Sequence, residues 1–102
     1  MRIMKPKYIL SKKAEEDLSG IWKYTLCMWS REQADKYIAA LMSACDDVAD
    51  NPMTLGISYE HVRAGYRKYL VGKHIVFYKV QSDGSVFISR ILHVRMDFDR
   101  HL

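Results

Sequence analysis

The chain has 102 residues, which fits one domain spanning 1–102 with a single two-layer core and is too short for two. Its hydrophobic fraction of 49% and charged fraction of 27% are those of a globular protein, excluding disorder and coiled coil, and no apolar run approaches the roughly 20 residues of a membrane crossing. The net charge of +4 is uneven: residues 1–60 hold eight Lys/Arg against nine Asp/Glu, and residues 61–102 hold eight against three together with all four histidines.

The opening Met-Arg-Ile-Met-Lys-Pro-Lys has no apolar stretch of the kind a secretory signal needs, so a cytoplasmic location is expected. Lys7-Tyr8-Ile9-Leu10 reads as a short first strand. Ser11 caps a helix starting at Lys12, with Glu15, Glu16 and Asp17 favourably placed in its first turns. Ala14, Leu18, Ile21, Trp22, Thr25 and Trp29 recur at helical spacing and form its buried face. Ser30-Arg31-Glu32-Gln33 has the form of a capping box, so a second helix starts at Arg31. Its stripe is Ala34, Tyr37, Ile38, Leu41, Met42, Cys45, Val48 and Ala49, and Asn51-Pro52 stops it. With almost no linker, the two helices fold back as an antiparallel hairpin. Cys45 falls on the buried stripe and Cys27 opposite its own, so both are expected as free thiols.

Residues 52–64 carry turn residues and no period, and read as a surface loop. Three β-branched and aromatic runs follow, divided by Gly72-Lys73, which suits a type II′ turn, and Asp83-Gly84, which suits type I′. The middle run, His74 to Val80, is almost wholly apolar and should have a strand on each side. The last residues, Val94 to Leu102, read as a short charged tail. The order is β-αα-βββ: an α+β, two-layer fold with a helical hairpin packed on one face of a twisted antiparallel sheet, which the first strand joins.

No phosphate loop or nucleophile motif is present, and His61, His74, His93 and His101 lack metal-ligand spacing, so no metal or cofactor is expected. Asp97 and Asp99 read as solvated or paired with Arg95 and Arg100. The cluster of interest is basic: Arg63, Arg67 and Lys68 enter one strand, and Arg90, His93 and Arg95 leave the last. Strand direction places Arg67 near Ser85 and Val86, and Arg95 near the Gly72 hairpin. Three readings stand: binding of an anion or acidic partner, simple solvation of sheet edges, and catalysis with His93 as general acid or base. Trp22, Trp29, Tyr37, Phe77 and Phe87 fit core positions. Tyr66 and Tyr69 point to opposite faces of one strand, so at least one should be exposed beside Arg67 and Lys68, where a tyrosine can stack on a base or anchor a protein.

These residues resemble a known family. The element order, Leu10-Ser11-Lys12-Lys13-Ala14-Glu15-Glu16-Asp17-Leu18, Gln33-Ala34-Asp35-Lys36-Tyr37 and Asn51-Pro52 are similar to the RelE/ParE toxin superfamily. Arg63-Ala64-Gly65-Tyr66-Arg67, Gly72-Lys73-His74-Ile75-Val76-Phe77-Tyr78 and the run from Ile91 to Leu102 resemble its ParE-like branch. The resemblance implies the toxin of a type II toxin–antitoxin system, held in a hetero-oligomer by a ParD-like antitoxin. It implies inhibition of DNA gyrase by stabilising the cleaved-DNA complex, with no enzymatic activity of the toxin itself. Arg63, Arg67, Lys68, Arg90, His93, Arg95 and Arg100 are then the candidates for target binding. RelE-like relatives imply an alternative, a ribosome-dependent mRNA endonuclease using His93, Arg67 and Arg90. A second alternative is an inactive homologue that only binds antitoxin.

Overall fold

A computed structural model describes residues 8–96. The elements are β1 (Tyr8–Leu10), α1 (Lys12–Met28), α2 (Arg31–Asp50), β2 (Ile57–Ser58), β3 (Arg67–Val71), β4 (His74–Val80) and β5 (Val86–His93). Both helix starts are fixed by serine, whose side chain satisfies an amide that the helix leaves unpaired. Ser11 Oγ accepts the Ala14 N–H at 2.9 Å, and Ser30 Oγ accepts the Gln33 N–H at 3.1 Å. The Trp22 indole donates to Asp35 at 2.8 Å and ties the hairpin together near its turn. Lys7 of the expected first strand, and Asp97, Asp99 and Arg100 of the charged tail, lie outside the described residues.

The sheet runs β1-β5-β4-β3-β2, with both helices on one face. Ala14, Leu18, Leu41, Cys45 and Val48 from the helices meet Val76, Tyr78, Val86, Ile88 and Ile91 from the sheet. Each of these helical residues comes from the two predicted stripes. A smaller cluster, Tyr59, Tyr66, Ile75, Phe77 and Leu92, forms where the segment before β3 folds over part of the other face.

Three details differ from expectation. The sheet is mixed, because β1 pairs parallel to β5, Tyr8 with Val86 through Leu10 with Ile88. Ser11 locks this register by donating its N–H to Ile88 and its hydroxyl to the Ser89 carbonyl. The supposed loop holds a fifth strand, β2, paired antiparallel with Lys68 and Arg67. The last hairpin is not type I′, since Asp83 does not take positive φ. Gly84 does, at +86°, and its N–H bonds to the Gln81 carbonyl, while Gln81 N–H bonds to the Ser85 carbonyl. That is a type I turn followed by a glycine bulge. At the other hairpin, Gly72 alone has positive φ, +57°, between paired Val71 and His74, as a type II′ turn requires.

Candidate functional site

Arg67 and Arg90 are occupied inside the structure. Arg90 donates from Nε and Nη2 to the two oxygens of Asp17, each at 2.8 Å, with about an eighth of each side chain exposed. A β-bulge explains how a strand residue reaches the helix. The β4–β5 register shifts between Phe77 and Tyr78, so that Phe77 pairs with Arg90 and Tyr78 with Ile88. Asp17 also accepts the Ile91 N–H at 3.0 Å, satisfying a β5 edge that the short β1 does not reach.

Arg67 stands level with Tyr78 and, beyond it, Ile88, rather than with Ser85 and Val86, because β4 runs two residues past the start of β3. Its guanidinium closes the loop after α2. Nε donates to the Pro52 carbonyl at 2.9 Å and the Tyr78 hydroxyl at 3.2 Å, and Nη2 to the Gly56 carbonyl at 2.6 Å and the Met53 carbonyl at 3.2 Å. The fork gathers three carbonyls of the loop, with the Tyr78 hydroxyl also donating to that of Pro52 at 2.6 Å, and in doing so lays β2 against β3.

His93 and Arg95 sit elsewhere, at the Gly72 hairpin, as strand direction predicts for Arg95. The Val94 N–H bonds to the Lys73 carbonyl at 3.0 Å. The His74 and His93 rings meet edge to face with centroids 5.3 Å apart. Tyr37, from α2, places its hydroxyl 2.6 Å from His74 Nδ1 and accepts the Lys73 N–H at 3.2 Å. The proton arrangement that serves all three groups has Tyr37 donating to His74. His93 Nδ1 accepts the Arg95 N–H at 3.1 Å, which puts the proton of the neutral ring on Nε2. Burial, then the charge of His93, lowers the pKa of His74, with Asp17 acting in the opposite sense.

These histidines border a cleft of about 550 Å³ between the helical turn and the β3–β4 hairpin. Tyr24, Met28 and Trp29 line its helical wall, and they are 66%, 60% and 76% exposed. Trp29 is therefore a surface residue and not the core residue its position in the stripe suggested. The stripe continues past the edge of the sheet, where nothing remains for it to pack on. Tyr37 is half-buried against the core, Phe77 is fully buried, and Trp22 and Phe87 are partly covered. Gly72 is required at the cleft edge, because a Cβ there would come within 2.9 Å of the Tyr37 hydroxyl on a backbone already at positive φ.

The remaining candidates lie on the sheet face away from the helices. Lys68 Nζ is 4.7 Å from the centre of the Tyr59 ring, and Arg63 lies 5.7 Å from that of Tyr66. Tyr66 is buried and Tyr69 packs against the main core, so neither tyrosine offers the free ring expected from sequence. The endonuclease trio is not gathered: His93 pairs with His74 and Arg67 with Tyr78, four residues along β4, or about 13 Å. Sequence reasoning missed Tyr37 as a cleft residue. Its place among the apolar stripe of α2 made it look like core alone.

The match to known proteins covers most of the chain. The family model for the ParE toxin of the parDE type II toxin–antitoxin system matches residues 8–98. A Mycobacterium tuberculosis protein named Toxin ParE1 is 40% identical over 99 residues, covering 97% of this chain and 100% of that one. Toxin ParE1 of Caulobacter vibrioides is 41% identical over 99 residues, covering 97% and 99%. A solved structure described as the chromosomal ParDE system of P. aeruginosa shares the fold at a TM-score of 0.77 and 19% identity, covering 86% of this chain and 95% of that one. The chain belongs to the ParE toxin family of type II toxin–antitoxin systems.

Proposed function

We propose that this toxin acts in the cytoplasm on DNA gyrase, holding it in its cleaved-DNA state, and that a ParD-like antitoxin neutralises it by direct binding. The observation that carries this reading is the family match across residues 8–98, together with about 40% identity to two toxins over nearly their full length. On this reading the toxin poisons another enzyme and catalyses nothing itself. The dispersal of His93, Arg67 and Arg90 supports that choice over RNA cleavage, which needs its acid, base and cations around one phosphate.

Two features suit an antitoxin segment that folds as it binds. The cleft offers exposed Tyr24, Met28 and Trp29 to an apolar face. Next to it, β2 pairs only with Arg67 and Lys68, so the outer edge of Tyr69–Val71 has no strand partner among the described residues. A partner chain can fill the first as a helix and extend the second as a strand. The target contact is assigned to the hairpin end, where His93, Arg95 and Lys73 come together, continuing into the tail with Arg100.

Gyrase supercoiling with purified protein tests the proposal. Inhibition that is relieved by stoichiometric antitoxin is expected. Unchanged supercoiling alongside cleavage of mRNA on ribosomes would overturn it in favour of the nuclease reading.

A further inference from the structure

We infer that the sheet face opposite the helices contacts the phosphate backbone of nucleic acid directly, through Arg63, Lys68 and Lys79. Lys79 belongs with the other two by geometry alone, since its ammonium lies 4.9 Å from the centre of the same Tyr66 ring that Arg63 approaches. Lys68 pairs with Phe77 across β3 and β4, and Lys79 is two residues further along on the same face. The two backbones are thus about 8 Å apart, a span that covers two or three phosphates of one strand. Each cation rests on an aromatic ring on one side, which fixes its position without neutralising it.

Charge separates by layer. None of the five strands contains an aspartate or glutamate, whereas α1 and α2 carry eight acidic residues against five basic ones. Around the cation group, Glu60 is the acidic residue of the covering segment, and it is held by the Gly65 N–H at 2.9 Å. A polyanion is therefore drawn to the sheet side and repelled from the helical side. Tyr59 and Tyr66 are each only 7% exposed, so neither of these rings is free to stack on a base. The contact is with backbone only and carries no sequence preference. This inference concerns the free toxin and does not depend on gyrase being the target.

The test is fluorescence anisotropy of the full chain with a labelled 20-base-pair duplex across a salt series. The parent protein should bind with log affinity falling against log salt with a slope of about 2 to 3, from three contacts at roughly 0.9 each. The R63Q/K68Q/K79Q variant should bind at least 10-fold more weakly at low salt with most of that slope gone. K23Q/K36Q, with two exposed charges removed from the helical layer, should stay within about 2-fold of the parent. K79Q alone, an exposed change, provides the same reading if the triple variant does not fold, with a smaller slope loss of about 1. Equal losses in the two charge variants, no salt dependence, or preference for a polyglutamate chain over the duplex would each overturn the inference. A supercoiling result leaves this measurement unaffected, so the two readings fail separately.

Discussion

Asp17 and Arg90, 73 residues apart, are joined by two hydrogen bonds of 2.8 Å that fasten the first turns of α1 to β5. A third bond from Asp17 to the Ile91 amide makes this carboxylate the partner of a main-chain group as well as a charge. Asp17→Ala should therefore cost about 3 kcal/mol in urea unfolding, because a largely buried guanidinium and an amide lose this acceptor together. A double-mutant cycle with Arg90→Gln should show coupling above about 1 kcal/mol. Additive effects would mean that the bridge contributes nothing beyond its separate parts.

Arg67 performs a similar task in the loop after α2, and lysine cannot reproduce its fork. Arg67→Lys should lower stability by about 1–2 kcal/mol by giving up the bonds of the fork to the Gly56 and Met53 carbonyls. Gly56→Ala should cost about 1–3 kcal/mol, since the added methyl would run into the Tyr78 ring and hydroxyl. Thermal melts of both variants check this, and an unchanged melting temperature in Gly56→Ala would show that the loop is free to shift.

The two thiols should react at very different rates. Cys45 is fully buried, and burial followed by the nearby Asp46 pushes its pKa up to about 12, whereas Cys27 is exposed. A disulfide-exchange reagent at pH 8 should modify one thiol per chain quickly and the second only on unfolding. Peptide mapping should place the fast adduct on Cys27.

Stability should fall with acid through His74. Its folded-state pKa lies below the ordinary 6.5, so the unfolded chain binds the proton more readily. The contribution is complete above about pH 6.5 and is lost as pH falls from there through the lowered value. Partial exposure to solvent keeps the effect modest. Urea midpoints at pH 7.5, 6.5 and 5.5 should decline for the parent and decline less for His74→Gln.

Much of the fold was legible because it is set locally. Ser11 and Ser30 announce their helices by bonding to amides three residues away, and Gly72 announces its turn by its own backbone angle. What was not legible depends on distant partners. The two residues of β2 have no pattern of their own and exist as a strand because Arg67 gathers the loop carbonyls behind them. Period-2 alternation gives the two faces of β1 but not the direction of its neighbour. At the site, a run of basic residues looks uniform in sequence, yet Arg90 and Arg67 are taken by Asp17 and by carbonyls, while Arg63, Lys68 and Arg95 remain toward solvent. Only the bulge in β5, invisible in composition, turns Arg90 to the helix.

The hairpin end and tail are expected to carry target contact. Arg95→Ala and deletion from Met96 onward should each reduce growth inhibition on induction at least 10-fold, while antitoxin affinity changes less than 3-fold. Equal losses in both readouts would place the tail in the antitoxin interface instead.

The most direct test of the account is a gyrase cleavage reaction on supercoiled plasmid, quenched with detergent and protease after adding the toxin. Linear DNA that accumulates with toxin dose and disappears when antitoxin is added first is the predicted result. Plasmid that stays intact at every dose, with ribosome-bound mRNA cut by the same preparation, would contradict it.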